Sequence, residues 1–303
     1  MYTPRAAVGD HGGVLDAVIP YLACPYCAAP LTRSGGSLRC AAGHAFDIAR
    51  PGYVSLLPAG ARAAEGDTAA MVQARCDALA AGHFAGLAAA LAAAAGAVTG
   101  PGCVADVGAG PGYYLAAVLD RLPGRAGLAL DSSKFALRRA ARAHPRIGAV
   151  RCDAWRRLPV ADGAAALALN VFAPRPGAEL RRILSPGGTL LVVTPLPDHL
   201  GGLVGPLGLL TVDPRKPERL AAQLGPHFDL AARREHRVTL ALDRRAVGAL
   251  VAMGPSSWHA AAPALAERIA RLPEPAAVTL AVAVSSYRPR AGRPAASRPG
   301  ASG

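Results

Sequence analysis

Four potential metal ligands lie close together near the start of the sequence. Two residues separate Cys24 from Cys27, twelve separate this pair from the next, and three separate Cys40 from His44. Three thiolates and an imidazole suit a tetrahedral zinc ion. Because four protein ligands leave no open position for water or substrate, the tetrad predicts a structural Zn2+ site.

A glycine-rich turn forms a second chemical cluster. The run C-V-A-D-V leads into G-A-G-P-G, with glycines at 108, 110 and 112, and Y-Y-L-A-A-V-L follows at helical spacing. Glycines let the backbone approach a ligand closely where a strand turns into a helix. The spacing G-x-G-x-G differs from the dinucleotide fingerprint G-x-G-x-x-G. The loop therefore favours S-adenosylmethionine over NAD as the cofactor.

Three acidic residues accompany this loop. Asp106 precedes it, Asp131 follows Gly112 by 19 residues at the end of the next predicted strand, and Asp153 ends the strand after that. We expect these carboxylates to meet the methionine ammonium, the ribose hydroxyls and the adenine amino group, respectively. An alternative role for Asp131 is to cap a helix that begins near Ser132 and Ser133.

The elements that position these residues follow from the pattern of apolar runs. From position 103 onward, short apolar runs alternate with helix-length segments, which predicts parallel strands joined by crossover helices in a doubly wound α/β sheet. Two later runs, H-R-V-T-L-A-L and V-T-L-A-V-A-V-S-S-Y, could complete the sheet as its last pair of strands. The alanine-rich stretch 68–98 predicts two helices broken near Gly82.

The composition points to a folded chain with a polyanionic partner. The 303 residues are 52% hydrophobic and carry a net charge of +13, which comes almost entirely from arginine because Lys134 and Lys216 are the only lysines. Arginine pairs with phosphate and stacks on bases, so nucleic acid is the favoured partner. A compositional bias towards Arg, Ala, Gly and Pro would produce the same charge.

Cysteine usage and hydropathy indicate the compartment. Apart from the tetrad, the cysteines at 76, 103 and 152 are scattered singly, a pattern typical of a reducing environment. The longest apolar stretches, about 85–98 and 200–212, fall short of the ~20 residues that a bilayer requires, and no Lys/Arg-led signal segment opens the chain. We therefore expect a cytoplasmic protein without a membrane partner.

Several segments together form a distinctive set. They are the zinc tetrad, F-D-I-A-R-P-G-Y-V-S-L-L, G-D-T-A-A-M-V-Q-A-R, A-G-H-F, D-V-G-A-G-P-G-Y-Y, L-N-V-F-A-P-R, T-P-L-P-D-H-L and M-G-P-S-S-W-H. With these segments the chain resembles the bacterial large-subunit rRNA guanine-N1 methyltransferases over about Tyr21 to Pro289. The segment I-L-S-P-G-G-T-L-L-V-V-T-P also looks like the fifth-strand entry of Rossmann-like methyltransferases, and A-L-N-V-F-A-P-R looks closer to the tylosin-resistance type than to the housekeeping enzymes.

The resemblance implies a fold and a domain division. The fold is a Rossmann-like, seven-stranded S-adenosylmethionine-dependent methyltransferase domain with an N-terminal zinc-ribbon-like module. The expected division is a flexible extension over 1–20, a zinc-binding RNA-recognition module over 21–60, a helical linker over 61–100, the methyltransferase domain over 101–289 and a disordered basic tail over 290–303.

The resemblance also implies a reaction and a set of binding residues. The substrate is a guanine of the domain II hairpin loop of 23S rRNA (the guanine-748 type), methylated at N1 to give macrolide resistance, and a homodimer is implied. Phe84 stands where the family commonly has tyrosine, and His199 has the alternative role of capping the loop after the fifth strand. The positions that correspond to cofactor contacts are Phe84, Gly110, Pro111, Gly112, Tyr113 and His199.

The sequence indicates the cofactor-binding positions but not a catalytic residue. Asn170 ends the predicted fourth strand, but the run N-V-F-A-P-R departs from the N/D-P-P-F/Y motif of amino-methylating enzymes, and no residue is assigned as general base. Aromatic candidates for stacking on a splayed base are Trp155, Phe172, Trp258 and His259. Candidate phosphate contacts, which could equally be ordinary solvated residues, are Arg156, Arg157, Arg175, Arg181 and Arg182.

Two other functions compete with this one. A methyltransferase acting on a small molecule of an antibiotic pathway would share the glycine loop, but it would need neither the zinc module nor the basic surface. A non-enzymatic zinc-ribbon protein that binds nucleic acid would not need an intact glycine loop.

Overall fold

The computed structural model describes residues 12–58, 60, 66–254 and 262–290. The N-terminal part begins with helix α1 (Gly12–Asp16) and a 3-10 turn (Ile19–Tyr21). Three antiparallel strands follow in the order β1-β2-β3: β1 (Leu31–Ser34), β2 (Ser37–Cys40) and β3 (Ala45–Asp47).

An eight-stranded sheet forms the centre of the molecule, in the order β10-β11-β9-β8-β5-β6-β7-β4. Strand β11 runs antiparallel to both neighbours, whereas the pairings from β9 across to β4 are parallel. The strands are β4 (Tyr53–Ser55), β5 (Cys103–Val107), β6 (Gly127–Asp131), β7 (Ile147–Arg151), β8 (Ala165–Val171), β9 (Leu184–Pro195), β10 (Phe228–Leu242) and β11 (Ala276–Pro289).

The chain order reverses at β5, which has β6 on one side and β8 on the other. The crevice beyond the carboxyl ends of strands at such a switch point is the usual ligand site of open α/β sheets. The predicted doubly wound fold is confirmed, including β10 and β11 as the last strand pair. The predicted seven strands become eight because β4, from the end of the segment assigned to the zinc module, pairs with β7.

Helices cover both faces of the sheet. Ala88, Leu91 and Leu115 belong to the core on one face, and Leu180 and Leu224 belong to the core on the other. The helices are α2 (Ala69–Ala80), α3 (Ala85–Ala95), α4 (Tyr113–Arg121), α5 (Lys134–Ala140), α6 (Gly177–Ile183), α7 (Val204–Leu207), α8 (Lys216–Leu224), α9 (Arg244–Ala252) and α10 (Ala262–Ala270).

The zinc-module segment packs onto the sheet. Leu22, Leu31 and Leu38 are buried in the same hydrophobic cluster as Val107 and Leu128 of the central strands. Backbone hydrogen bonds reinforce the contact, from Ala23 N to Pro159 O at 3.1 Å and from Ala161 N to Tyr21 O at 2.9 Å. The module therefore shares a core with the α/β domain.

The structure adds detail to three of the expected segments. Within the extension expected to be flexible over 1–20, α1 forms and Leu15 and Val18 are buried against the sheet; residues 1–11 lie outside the described residues. Within the expected linker, α2 and α3 break near Gly82 as predicted, yet Leu79, Leu87 and their neighbours pack in the main core. Of the expected tail, Arg290 is described and 291–303 are not.

Among the described residues, no single helix is long and apolar enough to cross a membrane. The helices α2 and α3 pass that test jointly by length and composition, with a bend of 83° between them.

Candidate functional site

The four predicted zinc ligands converge. Their ligand atoms all lie within 4.8 Å of one another. The Sγ atoms of Cys27 and Cys40 are 3.7 Å apart, and Nδ1 of His44 lies 3.5 Å from Sγ of Cys24 and 3.3 Å from Sγ of Cys40. Zn–S and Zn–N bonds of about 2.3 and 2.1 Å in a tetrahedron place ligand atoms about 3.5–3.8 Å apart. The tetrad therefore fits a zinc ion.

Local backbone geometry creates this convergence. Gly43 adopts φ of 84°, in the left-handed region that favours glycine, and its N–H donates to Cys40 O at 3.0 Å. Tyr26 stacks on the ring of His44 at 4.8 Å, which orients the imidazole. Burial would raise the pKa of the Cys40 thiol, but hydrogen bonds from His44 outweigh it and lower this pKa to about 6. A thiolate is the form that binds metal.

The glycine loop lies at the switch point, between β5 and α4. Gly108, Gly110 and Gly112 have φ values of 79°, 55° and 81°. A side chain at Gly108 would place Cβ 2.3 Å from Cβ of Ala173, so the loop that leaves β8 lies directly against the glycine loop. A Cβ at Gly112 would come within 3.1 Å of the Ala140 backbone. These contacts explain why two of the three positions require glycine.

Asp131 holds the glycine loop in place. Its Oδ2 accepts from Gly110 N, and its Oδ1 accepts from Ser133 N, both at 2.8 Å. Burial raises the pKa of this carboxyl, and these two hydrogen bonds oppose the rise. The cap of α5 is Ser133, whose hydroxyl accepts from Ala136 N at 3.3 Å. Asp131 thus lies at the end of β6 as predicted and supports both the loop and the helix start.

Asp106 is a buried acid of the site with a strongly raised pKa. It is buried at the end of β5, and its Oδ1 has no hydrogen-bond partner among the described residues. Burial, together with the charge of Asp131, raises the pKa of this carboxyl to about 8. A buried acceptor without a partner is costly, and a cationic ligand such as an ammonium group would satisfy it.

Asp153 lies further from its strand than expected. β7 ends at Arg151, so Asp153 begins the turn beyond it. Its Oδ1 accepts from Trp155 N at 2.9 Å, and Oδ2 lies 3.6 Å from Nε of Arg156. The prediction that Asp153 ends the strand is wrong by two residues, because the turn begins as soon as the pairing with β6 stops.

Phe84 and Tyr113 lie at the starts of α3 and α4, two helices that pack against each other. Phe84 directly precedes α3 and is buried in the cluster that also contains Ala109 of the glycine loop. Tyr113 opens α4, and its ring meets that of Tyr114 edge-on at 5.1 Å. Pro111 lies between two glycines at the tip of the loop and is half-buried.

Arg75 is a site residue that sequence reasoning missed. Its Nη1 lies 2.6 Å from Oδ2 of Asp67 and 3.5 Å from where a Cβ of Gly110 would lie, and its Nη2 donates to Met253 O at 2.9 Å. Ser133 Oγ in turn donates to Asp67 O at 2.7 Å. Arg75 thus joins α2 and the end of α9 over the glycine loop. The run G-D-T-A-A-M-V-Q-A-R contained it, but no spacing rule identified its long-range partners.

Phe172 and His199 lie side by side beyond the carboxyl ends of β8 and β9. Their ring centroids are 5.9 Å apart. Phe172 is 44% exposed and has φ of 55°, a conformation that bulky residues avoid and that often marks a functional position. His199 Nδ1 lies 2.9 Å from Ala281 O. Because a carbonyl oxygen only accepts, Nδ1 carries the proton and Nε2 of the neutral ring is an acceptor.

Asn170 braces the loop that carries Phe172. Its Nδ2 donates to Pro174 O at 2.7 Å and to Val107 O at 3.3 Å, which joins the ends of β5 and β8. Its side chain is fully buried, and its Oδ1 has no partner in the described part of the chain. Backbone carbonyls therefore accept from the side-chain amide of Asn170, which supports the loop after β8.

Similarity to characterised proteins decides the family. Over 275 residues the chain is 54% identical to the 23S rRNA (guanine(748)-N(1))-methyltransferase of Streptomyces fradiae, which covers 90% of this chain and 98% of the relative. The chain belongs to the 23S rRNA guanine-N1 methyltransferase family. A relative from Micromonospora griseorubida, also named as a 23S rRNA guanine-N1 methyltransferase, is 52% identical over 291 residues, or 90% of this chain and 98% of the relative.

The N-terminal segment of this methyltransferase matches a separate domain model. The model described as "RlmA, N-terminal", a zinc ribbon, matches residues 22–64, which include the whole tetrad. Among solved structures, the YcgJ protein from Bacillus subtilis aligns with a TM-score of 0.46 and 15% identity, over 68% of this chain and 98% of that one.

The arginines predicted to contact phosphate in this methyltransferase differ in whether their guanidinium groups are bonded within the fold. Arg182 pairs with Glu179 at 2.7 Å and Asp162 at 2.8 Å and donates to Val160 O and Leu158 O, so its guanidinium is engaged within the fold. That prediction is corrected: Arg182 anchors α6. Arg181 donates to Arg290 O at 3.1 Å.

Exposed candidates for RNA contact are found in the turn after β7. The side chains of Arg156 and Arg157 are about half exposed, and Trp155 is 62% exposed. Trp258 and His259, the remaining stacking candidates, lie outside the described residues.

Proposed function

We propose that this chain transfers a methyl group from S-adenosylmethionine to N1 of a guanine in the domain II hairpin loop of 23S rRNA, at the guanine-748-type position. The product would hinder macrolide binding and confer resistance, in the cytoplasm where ribosomes are found. The supporting observation is 54% identity along nearly the full length of the Streptomyces fradiae enzyme, whose name specifies guanine 748.

The glycine loop and its acids form the proposed cofactor site. Asp106, with its unpartnered buried oxygen, would accept from the methionine ammonium, and Asp131, beside the loop, would accept from the ribose. Asp153 is proposed for the adenine amino group. The bound cofactor supplies an electrophilic methyl group on a sulfonium. The remaining proposed contacts are Phe84, Gly108, Gly110, Pro111, Gly112, Tyr113 and His199.

The chain's own residues would then position the base and exclude water. N1 of neutral guanine carries a proton, so the base must be held in line with the methyl group while that proton leaves. Phe172 offers an exposed ring for stacking a splayed guanine. Nε2 of His199, next to that ring, offers an acceptor to the bound ligands. Burial lowers the pKa of His199 and thereby keeps this acceptor unprotonated.

The zinc module is proposed to position RNA. The tetrad has no open coordination position, so its metal would be structural. We assign residues 21–60 to this module and 101–289 to the methyltransferase domain, with helices α2 and α3 between them closing the cofactor site. A homodimer would bring two modules around one RNA hairpin, as the family resemblance implies.

Label transfer would test the proposal. Purified protein is incubated with S-adenosylmethionine carrying a tritiated methyl group and with either 23S rRNA or assembled large subunits. Label in the RNA is the expected result. An unlabelled RNA, together with label in a small molecule when a macrolide-type substrate is supplied, would contradict it in favour of a small-molecule methyltransferase.

A further inference from the structure

A run of basic residues that contains no acid begins at the end of β6. From 132 to 152 the sequence has one lysine and five arginines but no aspartate or glutamate. Two of these arginines are engaged by the backbone, because Arg146 donates to Arg125 O at 2.8 Å and Arg151 donates to Ser132 O at 2.9 Å. The remaining four basic residues are all exposed and form the α5 basic surface: Lys134, Arg138, Arg139 and Arg142.

The three arginines of the α5 basic surface converge on one cavity. This cavity, of about 290 Å³, lies between α5 and α2, and its wall includes Arg138, Arg139, Arg142, Phe135 and Val72. Ligand pockets of proteins usually measure about 300–1,000 Å³. The cavity is therefore large enough for a phosphate and part of its ribose, and too small for a ligand such as the whole cofactor.

Neighbouring side chains restrict the cations of this surface. Nζ of Lys134 lies 5.2 Å and Cζ of Arg138 lies 5.8 Å from the ring centroid of Phe135. Both distances are within the ~6 Å at which an aromatic ring attracts a cation. Arg139 is held by a hydrogen bond, which its Nη2 donates to Oε1 of Gln73 at 2.7 Å. The contacts reduce the conformational freedom that these side chains would lose on binding a ligand.

No acid of the described ranges neutralises the α5 basic surface, because none of its four residues forms an ion pair there. Asp77, on the facing helix α2, accepts instead from Nε2 of Gln73 at 2.8 Å. Other exposed arginines do have acidic partners; Arg244, for example, pairs with Glu274 at 2.7 Å. The positive charges on α5 are therefore available to an anion from outside the fold.

The spacing of these charges opposes the stability of the helix. Lys134 and Arg138 are four residues apart on α5, and Arg138 and Arg142 repeat this spacing into the turn that follows. Like charges four residues apart on a helix repel and destabilise it. A bound polyanion would relieve this repulsion, so the arrangement favours binding over stability of the empty protein.

The α5 basic surface begins beside the cofactor loop and leads away from it. Asp131, which accepts from Gly110 N, is three residues before Lys134. Because β6 and β7 are parallel, α5 runs back from the carboxyl ends of the strands towards their amino ends. The surface is about 12 Å long at a rise of 1.5 Å per residue. An extended anion on it would reach the edge of the sheet at which the exposed Trp155 follows β7.

We propose that the α5 basic surface binds consecutive phosphates of the substrate RNA, in the part of the hairpin that adjoins the loop with the target guanine. This inference rests on the proposed function and assigns the surface that holds the RNA while the base enters the site. Arginine forks match the geometry of phosphate, and RNA helices are recognised mainly through backbone and shape. An acidic protein segment, the other polyanion that could bind here, becomes an outcome of the test.

The chain offers matched controls for the loss of charge. Arg234 of β10 and Arg271 after α10 are exposed and form no ion pair in the part of the chain that the structure describes. β10 is the edge strand on the far side of the sheet from β6 and β7, against which α5 packs. The pairs Arg138→Gln/Arg142→Gln and Arg234→Gln/Arg271→Gln remove equal charge, so effects of net charge are the same in both.

The experiment compares both glutamine pairs with the wild type and with Arg138→Lys/Arg142→Lys. Filter binding to a domain II transcript is measured at several salt concentrations. For Arg138→Gln/Arg142→Gln we expect the RNA Kd to rise about tenfold or more and the slope of log K against log salt to fall by about 1.4–1.8, as for two lost phosphate contacts. The lysine pair should keep the slope because it keeps the charges, and the control pair should match the wild type.

Kinetics and stability separate RNA binding from a structural role. Arg138→Gln/Arg142→Gln should raise the KM for RNA and leave kcat and the Kd of S-adenosylmethionine unchanged, because the surface lies outside the proposed cofactor site. Since the substitutions remove repulsion within α5, the variant should unfold at the same temperature as the wild type or a higher one. A lower unfolding temperature together with weaker cofactor binding would indicate a structural role and overturn the proposal.

Chemical labelling of the wild type tests the surface without any substitution. Bound RNA should protect Arg138 and Arg142 from an arginine-reactive dicarbonyl, as read by peptide mass spectrometry, and leave Arg271 reactive. Equal labelling of all three arginines with and without RNA would overturn the proposal.

The other outcomes separate this inference from the proposed function. Unchanged RNA affinity and salt slope for Arg138→Gln/Arg142→Gln would overturn the RNA surface, while methylation of RNA by the wild type would leave the proposed function standing. Equal losses in the control pair would reduce the effect to net charge and also overturn it. Normal RNA binding, with binding of polyglutamate that depends on the two arginines, would assign the surface to an acidic protein instead. If the wild type fails to methylate RNA, the proposed function has failed, and this inference with it.

Discussion

The backbone N–H of Gly110 donates a 2.8 Å hydrogen bond to Oδ2 of Asp131. This bond joins the loop after β5 to the end of β6, on the side of the switch point where the cofactor is proposed to bind. The carboxylate therefore sets the shape of the glycine loop before any ligand arrives. A preformed loop reduces the conformational cost of binding.

Replacing Asp131 by asparagine should weaken cofactor binding at least tenfold. The amide keeps the shape of the side chain but loses the charge, and a hydrogen bond to a charged group contributes about 1.5–3 kcal/mol. Calorimetric titration with S-adenosylmethionine measures the effect. Asp120→Asn, at an exposed position near the end of α4, is the matched control. An unchanged Kd for Asp131→Asn would remove Asp131 from the site.

Cofactor binding should depend on pH through Asp106. With a pKa of about 8, the carboxyl of the empty protein is protonated at pH 6 and must lose its proton to pair with an ammonium group. The Kd should therefore fall by up to tenfold per pH unit as the pH rises towards 8, and then level off. Asp106→Asn should bind more weakly at pH 8 and lose this dependence. A wild-type Kd that is constant between pH 6 and 8 would contradict the assignment.

Removing zinc should destabilise the whole chain. Because Leu22 and Leu38 share a core with the central strands, Cys40→Ser should lose the metal and lower the Tm by about 5 °C or more, in one transition. Atomic absorption and calorimetry measure the two effects. Cys76→Ser, at a cysteine outside the tetrad, should keep its zinc. Two separate transitions would show that the module folds independently.

The same variant tests the role of the zinc module in RNA recognition. At temperatures where Cys40→Ser is folded, we expect RNA methylation to be lost and cofactor affinity to be kept. Normal methylation of RNA by this zinc-free protein would refute the RNA-positioning role.

Phe172→Ala should impair use of RNA and leave cofactor affinity intact. Stacking of a base on an aromatic ring contributes about 1–3 kcal/mol, so kcat/KM for RNA should fall about 10- to 100-fold. Steady-state kinetics with a domain II transcript measure this effect, and Phe172→Tyr should retain most of the activity because it keeps the ring. Equal activity of the alanine variant would exclude Phe172 as the stacking partner.

Features encoded by neighbouring residues were predictable from the sequence. The run C-V-A-D-V is strand β5, residue for residue, and the spacing of Cys24, Cys27, Cys40 and His44 identified a tetrad that the fold brings together. In both cases the spacing itself determines the local geometry. The same holds for the break between α2 and α3 at Gly82.

Features that depend on long-range pairing were not predictable in this way. Strand β4, at the end of the zinc-module segment, joins the sheet by pairing with β7, far along the chain. Arg75 reaches Met253 only because α2 packs against α9, far along the chain. No local pattern of residue types encodes such distances.

The most direct test of the account maps the methylated nucleotide. The RNA of the label-transfer reaction is used for primer extension across domain II, since a methyl group on N1 blocks the Watson–Crick edge and stops reverse transcriptase. We expect one new stop at the guanine of the hairpin loop, dependent on both enzyme and S-adenosylmethionine, and absent with Asp106→Asn. No new stop, or a stop at a different nucleotide, would contradict the assigned reaction.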